Sequence, residues 1–225
     1  MAPEQSQASR ARVEQLVRQA VDARIGASGA RAAAPPNPLV VNVSARHCHV
    51  TQEALEQLFG KGHQLRVQRP LYQTGHFAAQ ETVTIIGPRQ RMISNLRILG
   101  PCRRYTQVEL AYSDGIALGF DLPHRISGNI QGTIGAMLMG PGGFYEMTEG
   151  VIRAMRHVHM GPNDAAYHGV KAGDLMRLRI GGPAAVTLDK LVVRVDPTSK
   201  LEVHIDTDEG NACNLQADTV CELVK

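Results

Sequence analysis

Tryptophan is absent from this chain of 225 residues, and aromatic residues make up only 4% of it. Successive nucleic-acid bases therefore have no platform to stack on. A formal charge of +3, without a clustered Lys/Arg stripe, suits an anionic small molecule and argues further against nucleic acid. The four cysteines, Cys48, Cys102, Cys213 and Cys221, form no C-x-x-C pair and show no framework spacing, which favours reduced thiols over a disulfide scaffold. No apolar run approaches the roughly 20 residues that cross a bilayer, and no stretch has the apolar centre of a secretory signal. A soluble, cytoplasmic protein without a membrane partner is the expectation. Neither G-x-G-x-x-G nor G-x-x-x-x-G-K-[ST] follows a strand-like run, so the usual nucleotide-binding signals are missing. What remains is ordinary for a globule: 43% hydrophobic and 20% charged residues, at a length that allows one large or two small domains with real cores.

Residues 1–27 are expected to form an amphipathic helix. Val13, Leu16, Val17, Ala20, Val21 and Ile25 recur at helical spacing, with Arg10, Arg12, Glu14, Arg18, Asp22 and Arg24 among the positions between them. Residues 28–38 are rich in Ala and Pro and read as a flexible linker. A short amphipathic helix on a leash suits docking on a partner or on a second copy, with packing on its own domain as the alternative. A mitochondrial-type presequence fits less well, because Glu4, Glu14 and Asp22 interrupt the basic character.

From Leu39 the pattern turns to strands. Residues 39–44, 81–88, 92–99, 106–111, 190–195 and 201–206 are short, rich in β-branched residues and separated by Gly, Pro and charged turns. Thr51 at an N-cap position and Gly60 at a stop bracket a short helix, and a second helical segment is expected after Met147 through Met155. Short strands with short helices between them point to a mainly β protein of two small barrels or sandwiches rather than a doubly wound sheet.

Two stretches share one layout, Arg46-His47-Cys48-His49-Val50 and Arg156-His157-Val158-His159-Met160. In an extended strand the side chains at i and i+2 lie on one face, so each His-x-His aims two imidazoles at a single point. Such a pair is a clip for zinc or a neighbouring divalent metal. The same parity makes Glu109 and His204 candidate third ligands, which gives two sites of three protein ligands with a position left for substrate. Cys48, between two ligand positions, faces the other way and is expected to be a small buried residue. His63, His76, His124 and His168 have no partner at ligand spacing and read as surface or capping histidines. Gly140-Pro141-Gly142-Gly143 reads as a turn rather than a phosphate cradle. The pair Arg103-Arg104 leads into the strand of Glu109, where a guanidinium could capture phosphate in bidentate fashion.

Residues 44–50, 97–103, 106–109, 122–128 and 156–160 together resemble the PduL family of phosphate propanoyltransferases, the phosphotransacylases of bacterial microcompartments; the likeness runs in order from about Val41 to Asn214. The resemblance implies a two-barrel enzyme holding two zinc ions per chain that interconverts acyl-CoA plus phosphate with acyl phosphate plus CoA. It implies that residues 39–46 with 155–225 build the first barrel and residues 47–154 the second. His47, His49 and Glu109 would hold one zinc, and His157, His159 and His204 the other. Arg103 would bind phosphate as the catalytic cation, and Ser44, Arg69, Arg97, Leu99, His204 and Asn211 would line the CoA site. Arg69 stands where the family usually has Lys, and Gly75-His76 where it has Gly-Gln. Ser127 falls in a matching loop.

The resemblance also implies that residues 1–27 are an encapsulation peptide, that the partners include shell or co-encapsulated enzymes, and that the chain forms a homo-oligomer in the lumen of a microcompartment, where it recycles CoA. Direct attack of metal- and Arg-bound phosphate on the thioester needs no serine or cysteine nucleophile. The competing readings are a covalent route through Cys48, a dizinc acyl-CoA thioester hydrolase and a non-catalytic shell-associated binding protein.

Overall fold

The computed structural model describes residues 36–225, so the helix expected over residues 1–27 and most of the linker over residues 28–38 lie outside the described residues. Two sheets follow from the strand pattern. In the first, β1 (Val40–Ser44), β13 (Glu202–Asp206), β10 (His157–Met160), β12 (Val186–Val195), β11 (Leu175–Ile180) and β14 (Cys221–Val224) lie side by side in that order, as an open half-barrel. The second runs β3 (Val67–Pro70), β4 (Phe77–Ile86), β5 (Met92–Gly100), β2 (His47–His49), β6 (Gln107–Glu109), β9 (Gly143–Ala154) and β7 (His124–Arg125). Here β8 (Ile134–Gly140) pairs with both β4 and β9, so six strands close into a ring and leave no free edge between them. The mainly β class is borne out.

Each sheet covers its own core. In β11, Met176, Leu178 and Ile180 are buried while Leu175, Arg177 and Arg179 face out, the period-2 pattern of a half-buried strand. Those buried residues join Val158, Met160, Leu191, Val193 and Val203 in one cluster. Leu55, Leu58, Ile85, Leu96, Ile98, Val108 and Val151 belong to the other.

Among the described residues, four short helices each follow a strand that carries site residues. The expected helix is α1 (Gln52–Phe59), capped by the Thr51 side chain, which accepts the Ala54 N–H at 3.0 Å, and stopped at Gly60. The others are α2 (Tyr112–Leu118), α3 (Pro162–His168), which opens on Pro162, and α4 (Thr207–Ala212), capped by Asp206. Among the described residues no helix is long and apolar enough to cross a membrane.

One expectation is corrected. The segment after Met147 is the second half of strand β9, not a helix. Its β-branched pair Val151-Ile152 is fully buried, and β9 is held by parallel pairing with β6 and antiparallel pairing with β8. Gly150 has φ +118°, and a Cβ there would sit 2.5 Å from the Thr106 carbonyl oxygen, so the glycine marks a close backbone approach rather than a helical turn.

The two sheets repeat one construction. Strand β2 lies between β5, parallel, and β6, antiparallel, and β6 is parallel to β9. Strand β10 lies between β12, parallel, and β13, antiparallel, and β13 is parallel to β1. The chain leaves the half-barrel after β1 to enter β2, and leaves the closed barrel after β9 to enter β10. Both crossings fall immediately before a His-x-His strand.

Candidate active site

Strand geometry assembles the site. His47 is paired with Glu109 across β2 and β6, and His157 with His204 across β10 and β13, so the two registers are equivalent. In each case the third candidate ligand stands directly opposite the first histidine of a clip.

The ring orientations suit a metal. His47 Nδ1 lies 2.8 Å from the Ala45 carbonyl oxygen and His157 Nδ1 lies 2.9 Å from that of Met155, which assigns the proton to Nδ1 and leaves the Nε2 lone pair free. His49 Nδ1 is likewise 3.1 Å from the Leu99 carbonyl oxygen. In the first cluster His47 Nε2 is 3.6 Å from Glu109 Oε2. In the second, His157 Nε2 and His159 Nε2 face one another at 3.2 Å. His204 Nε2 is buried, with the Glu202 carboxylate oxygen Oε2 3.1 Å away as its ion-pair partner. Within each cluster of three the ligand atoms lie within 4.8 Å of one another.

Electrostatics agree. Burial, then its neighbour His204, lowers His157 to about 4; burial, then His157 and His204, lowers His159 to about 3. Burial, with His47 and Arg103, also holds His49 well below the usual histidine range. Burial alone would raise the Glu109 carboxyl, but His47 and His49 bring it down to about 2. Imidazoles with converging ring nitrogens and an ionised carboxylate, grouped within ligand distance, are a donor set that a divalent cation satisfies.

Both clusters open on one cavity of about 900 Å³, walled by residues of the two sheets. Ser44, Arg69, Arg97, Leu99, Arg103, Glu109, His204 and both clips line it, as does Ser127. Asn211 is not in its wall and stands exposed in α4. Arg103 is part-buried, with its backbone N–H on the Val50 carbonyl at 2.8 Å, which ties it to the chain just past the first clip. Cys48 is fully buried in the barrel core on the opposite face, and burial pushes its thiol up, away from a reactive thiolate. Gly140 and Gly143 close the β8–β9 hairpin, the turn that was expected there.

The cavity adds residues that the spacing arguments passed over. His76, read above as a surface or capping histidine, is in the wall, where burial and then Arg103 keep it below its ordinary value. Arg194, opposite His159 on β12, brings a second guanidinium from the half-barrel. Gln107 donates to Glu109 at 2.6 Å and to the Ser127 hydroxyl at 2.9 Å, and accepts the Gly128 N–H at 2.8 Å. At the matching position of the other sheet is Glu202, only 2% exposed, which accepts from Gln73 at 2.6 Å and from Asn42. Burial would raise this carboxyl, but His204 and Gln73 take it to about 2. Period-2 parity does mark Gln107 and Glu202 on the ligand faces. No local signal marks His76 or Arg194, whose partners are far away in the chain.

Comparison with known proteins accords with this arrangement. Residues 40–216 match the family model described as phosphate propanoyltransferase. A phosphate propanoyltransferase of Planctopirus limnophila is 56% identical over 224 residues, covering 96% of this chain and 92% of its own length. Those of Lachnoclostridium phytofermentans and Thermotoga maritima are 47% and 43% identical, over 78% and 83% of this chain and 82% and 89% of theirs. Two matched His-x-His strands on one cavity, and a match along nearly the whole described chain, lead to one conclusion: the chain belongs to the phosphate propanoyltransferase family.

Proposed function

We propose that this protein is a phosphate acyltransferase that interconverts acyl-CoA, propionyl-CoA or acetyl-CoA, plus phosphate with acyl phosphate plus CoA. The observation that carries the reading is the convergence of two three-ligand clusters and Arg103 on one cavity large enough for an acyl thioester and an anion. His47, His49 and Glu109 would hold one zinc and His157, His159 and His204 the other. When bound, zinc supplies Lewis acidity and an affinity for thiolate.

The chain's own groups do the positioning. Arg103 holds phosphate and offsets its charge, so that an oxygen can approach the thioester carbon without bulk repulsion. A new carbon–oxygen bond forms to phosphate, the carbon–sulfur bond breaks, and the sulfur leaves with its electron pair as CoA thiolate. Ser44, Arg69, Arg97, Leu99 and His204 in the cavity wall would hold CoA, with Asn211 beyond it; Arg69 and Arg97 suit the anionic end of CoA. Residues 39–46 with 155–225 and residues 47–154 are taken as the two domains. Residues 1–27 are proposed as a targeting segment for a microcompartment shell or a co-encapsulated enzyme, joined through residues 28–38. The chain would act as a homo-oligomer in the microcompartment lumen, recycling CoA.

The test is thiol release from propionyl-CoA by purified protein, with and without phosphate, beside metal content by mass spectrometry. Phosphate-dependent release with two zinc ions per chain is expected. Release indifferent to phosphate would replace this reading with that of a dizinc thioester hydrolase.

A further inference from the structure

Each His-x-His strand is preceded by an arginine that the proposed chemistry leaves without a task. Arg46 Nη1 reaches Asp114 Oδ1 at 3.0 Å, and Arg156 reaches Glu209 Oε1 with Nε at 2.8 Å and Nη2 at 2.6 Å. Asp114 lies five residues after Glu109, and Glu209 lies five residues after His204. The second oxygen of each carboxylate is also used alike. Asp114 Oδ2 accepts the Ala111 N–H at 3.2 Å and Glu209 Oε2 accepts the Asp206 N–H at 2.9 Å, both at the residue two past the third ligand. A single carboxylate in each half therefore bonds to the backbone just beyond the third ligand with one oxygen and to the residue just before the two-histidine clip with the other.

We propose that Arg46–Asp114 and Arg156–Glu209 are a pair of equivalent clamps, each fixing the distance between a His-x-His clip and its third ligand, and each acting on its own metal site alone. The proposal rests on the metal reading given above. Asp114 and Glu209 are buried and each closes the first turn of its helix by accepting a backbone N–H, a role that does not dictate that the partner cation stand next to a His-x-His clip in both halves. A clamp across a three-ligand site does, because ligands misplaced by a fraction of an ångström bind metal poorly even when the fold is intact. The two clamps differ in surroundings. Arg46 is about half exposed and has Asp114 as its carboxylate partner. Arg156 is more enclosed, also donates to the Asp189 carbonyl oxygen at 2.9 Å, and shares Glu209 with Arg153, which donates at 3.1 Å.

The test uses the full chain loaded with cobalt(II), whose visible bands differ between a site of two imidazoles and a carboxylate and a site of three imidazoles. Chelator in excess is added and the decay of each band is followed. Arg46→Met is expected to speed loss from the site containing Glu109 by about 10-fold and leave the other decay unchanged, and Arg156→Met to do the reverse. Arg46→Lys and Arg156→Lys, which keep the charge without the fork, should fall between and serve if a Met variant does not fold. Equal loss from both sites in either single variant, or no change in either, would overturn the clamps while leaving the metal reading intact. If the unchanged protein takes up no cobalt, the metal reading falls and the clamps with it.

Discussion

At the scale of single residues, two side chains separate the proposed direct transfer from a covalent route. Arg103 is the cation placed beside the first clip, and Arg103→Met is expected to lower activity by about 100-fold, the loss typical of removing one preorganised charge-stabilising donor. Steady-state kinetics with phosphate as the varied substrate check it, and most of the loss should be a failure to saturate. Cys48→Ala is expected to keep most activity and to cost about 1 kcal/mol of stability, because the thiol is fully buried on the core side and its pKa is raised. Loss of activity with the fold retained would revive the acyl-enzyme. The six candidate metal ligands were legible in the sequence because strand parity alone sets i and i+2 on one face. Arg194 and His76 were not, since what makes them cavity residues is the packing of distant strands.

At the scale of elements, titration of the clips couples to folding. His157 and His159 are lowered from 6.5 to about 4 and about 3, so the folded chain refuses protons that the unfolded chain accepts. Their contribution to stability is complete above pH 6.5 and is lost as pH falls towards 3. Glu109 and Glu202, lowered from 4.5 to about 2, contribute above pH 4.5 and lose that contribution as pH falls towards 2. Chelator-treated protein should therefore lose stability to urea steadily on acidification from pH 6.5, a trend that denaturation curves at stepped pH will register. Strand β9 makes a second test. Gly150→Ala forces a side chain into φ +118° with a Cβ 2.5 Å from the Thr106 carbonyl oxygen, and should cost about 3 kcal/mol in urea unfolding. Met147, Glu149, Ala154 and Met155 are good helix formers at local scale. The pairing of β9 with β6 and β8, both distant in the chain, overrides that preference. The strands at residues 40–44, 92–100 and 202–206 were legible because β-branched alternation and flanking turns agree with their tertiary role.

At the scale of the molecule, the two sheets are joined by a buried ionic cluster. Arg153 on β9 of the closed barrel donates to Asp206 at 2.7 Å and to Glu209 at 3.1 Å in the half-barrel segment, with its guanidinium 4.0 Å from the Tyr112 ring centre. Ser113 on α2 adds a hydroxyl bond of 2.7 Å to Asp208 on α4. Arg153→Met would leave Asp206 Oδ2 in this buried contact without its cation, while Glu209 keeps Arg156, and is expected to cost about 3 kcal/mol, seen as a lowered thermal midpoint. Composition and strand length suggested two β units, but nothing local could show that one closes through β8 while the other stays open.

Run in reverse, the proposed reaction excludes its nearest competitor. Propionyl phosphate and CoA are mixed with the purified protein, and thioester absorbance is followed with free thiol consumption. Formation of propionyl-CoA, matched mole for mole by thiol loss and phosphate release, is the expected result. Phosphate release with the thiol unconsumed and no thioester formed would contradict acyl transfer.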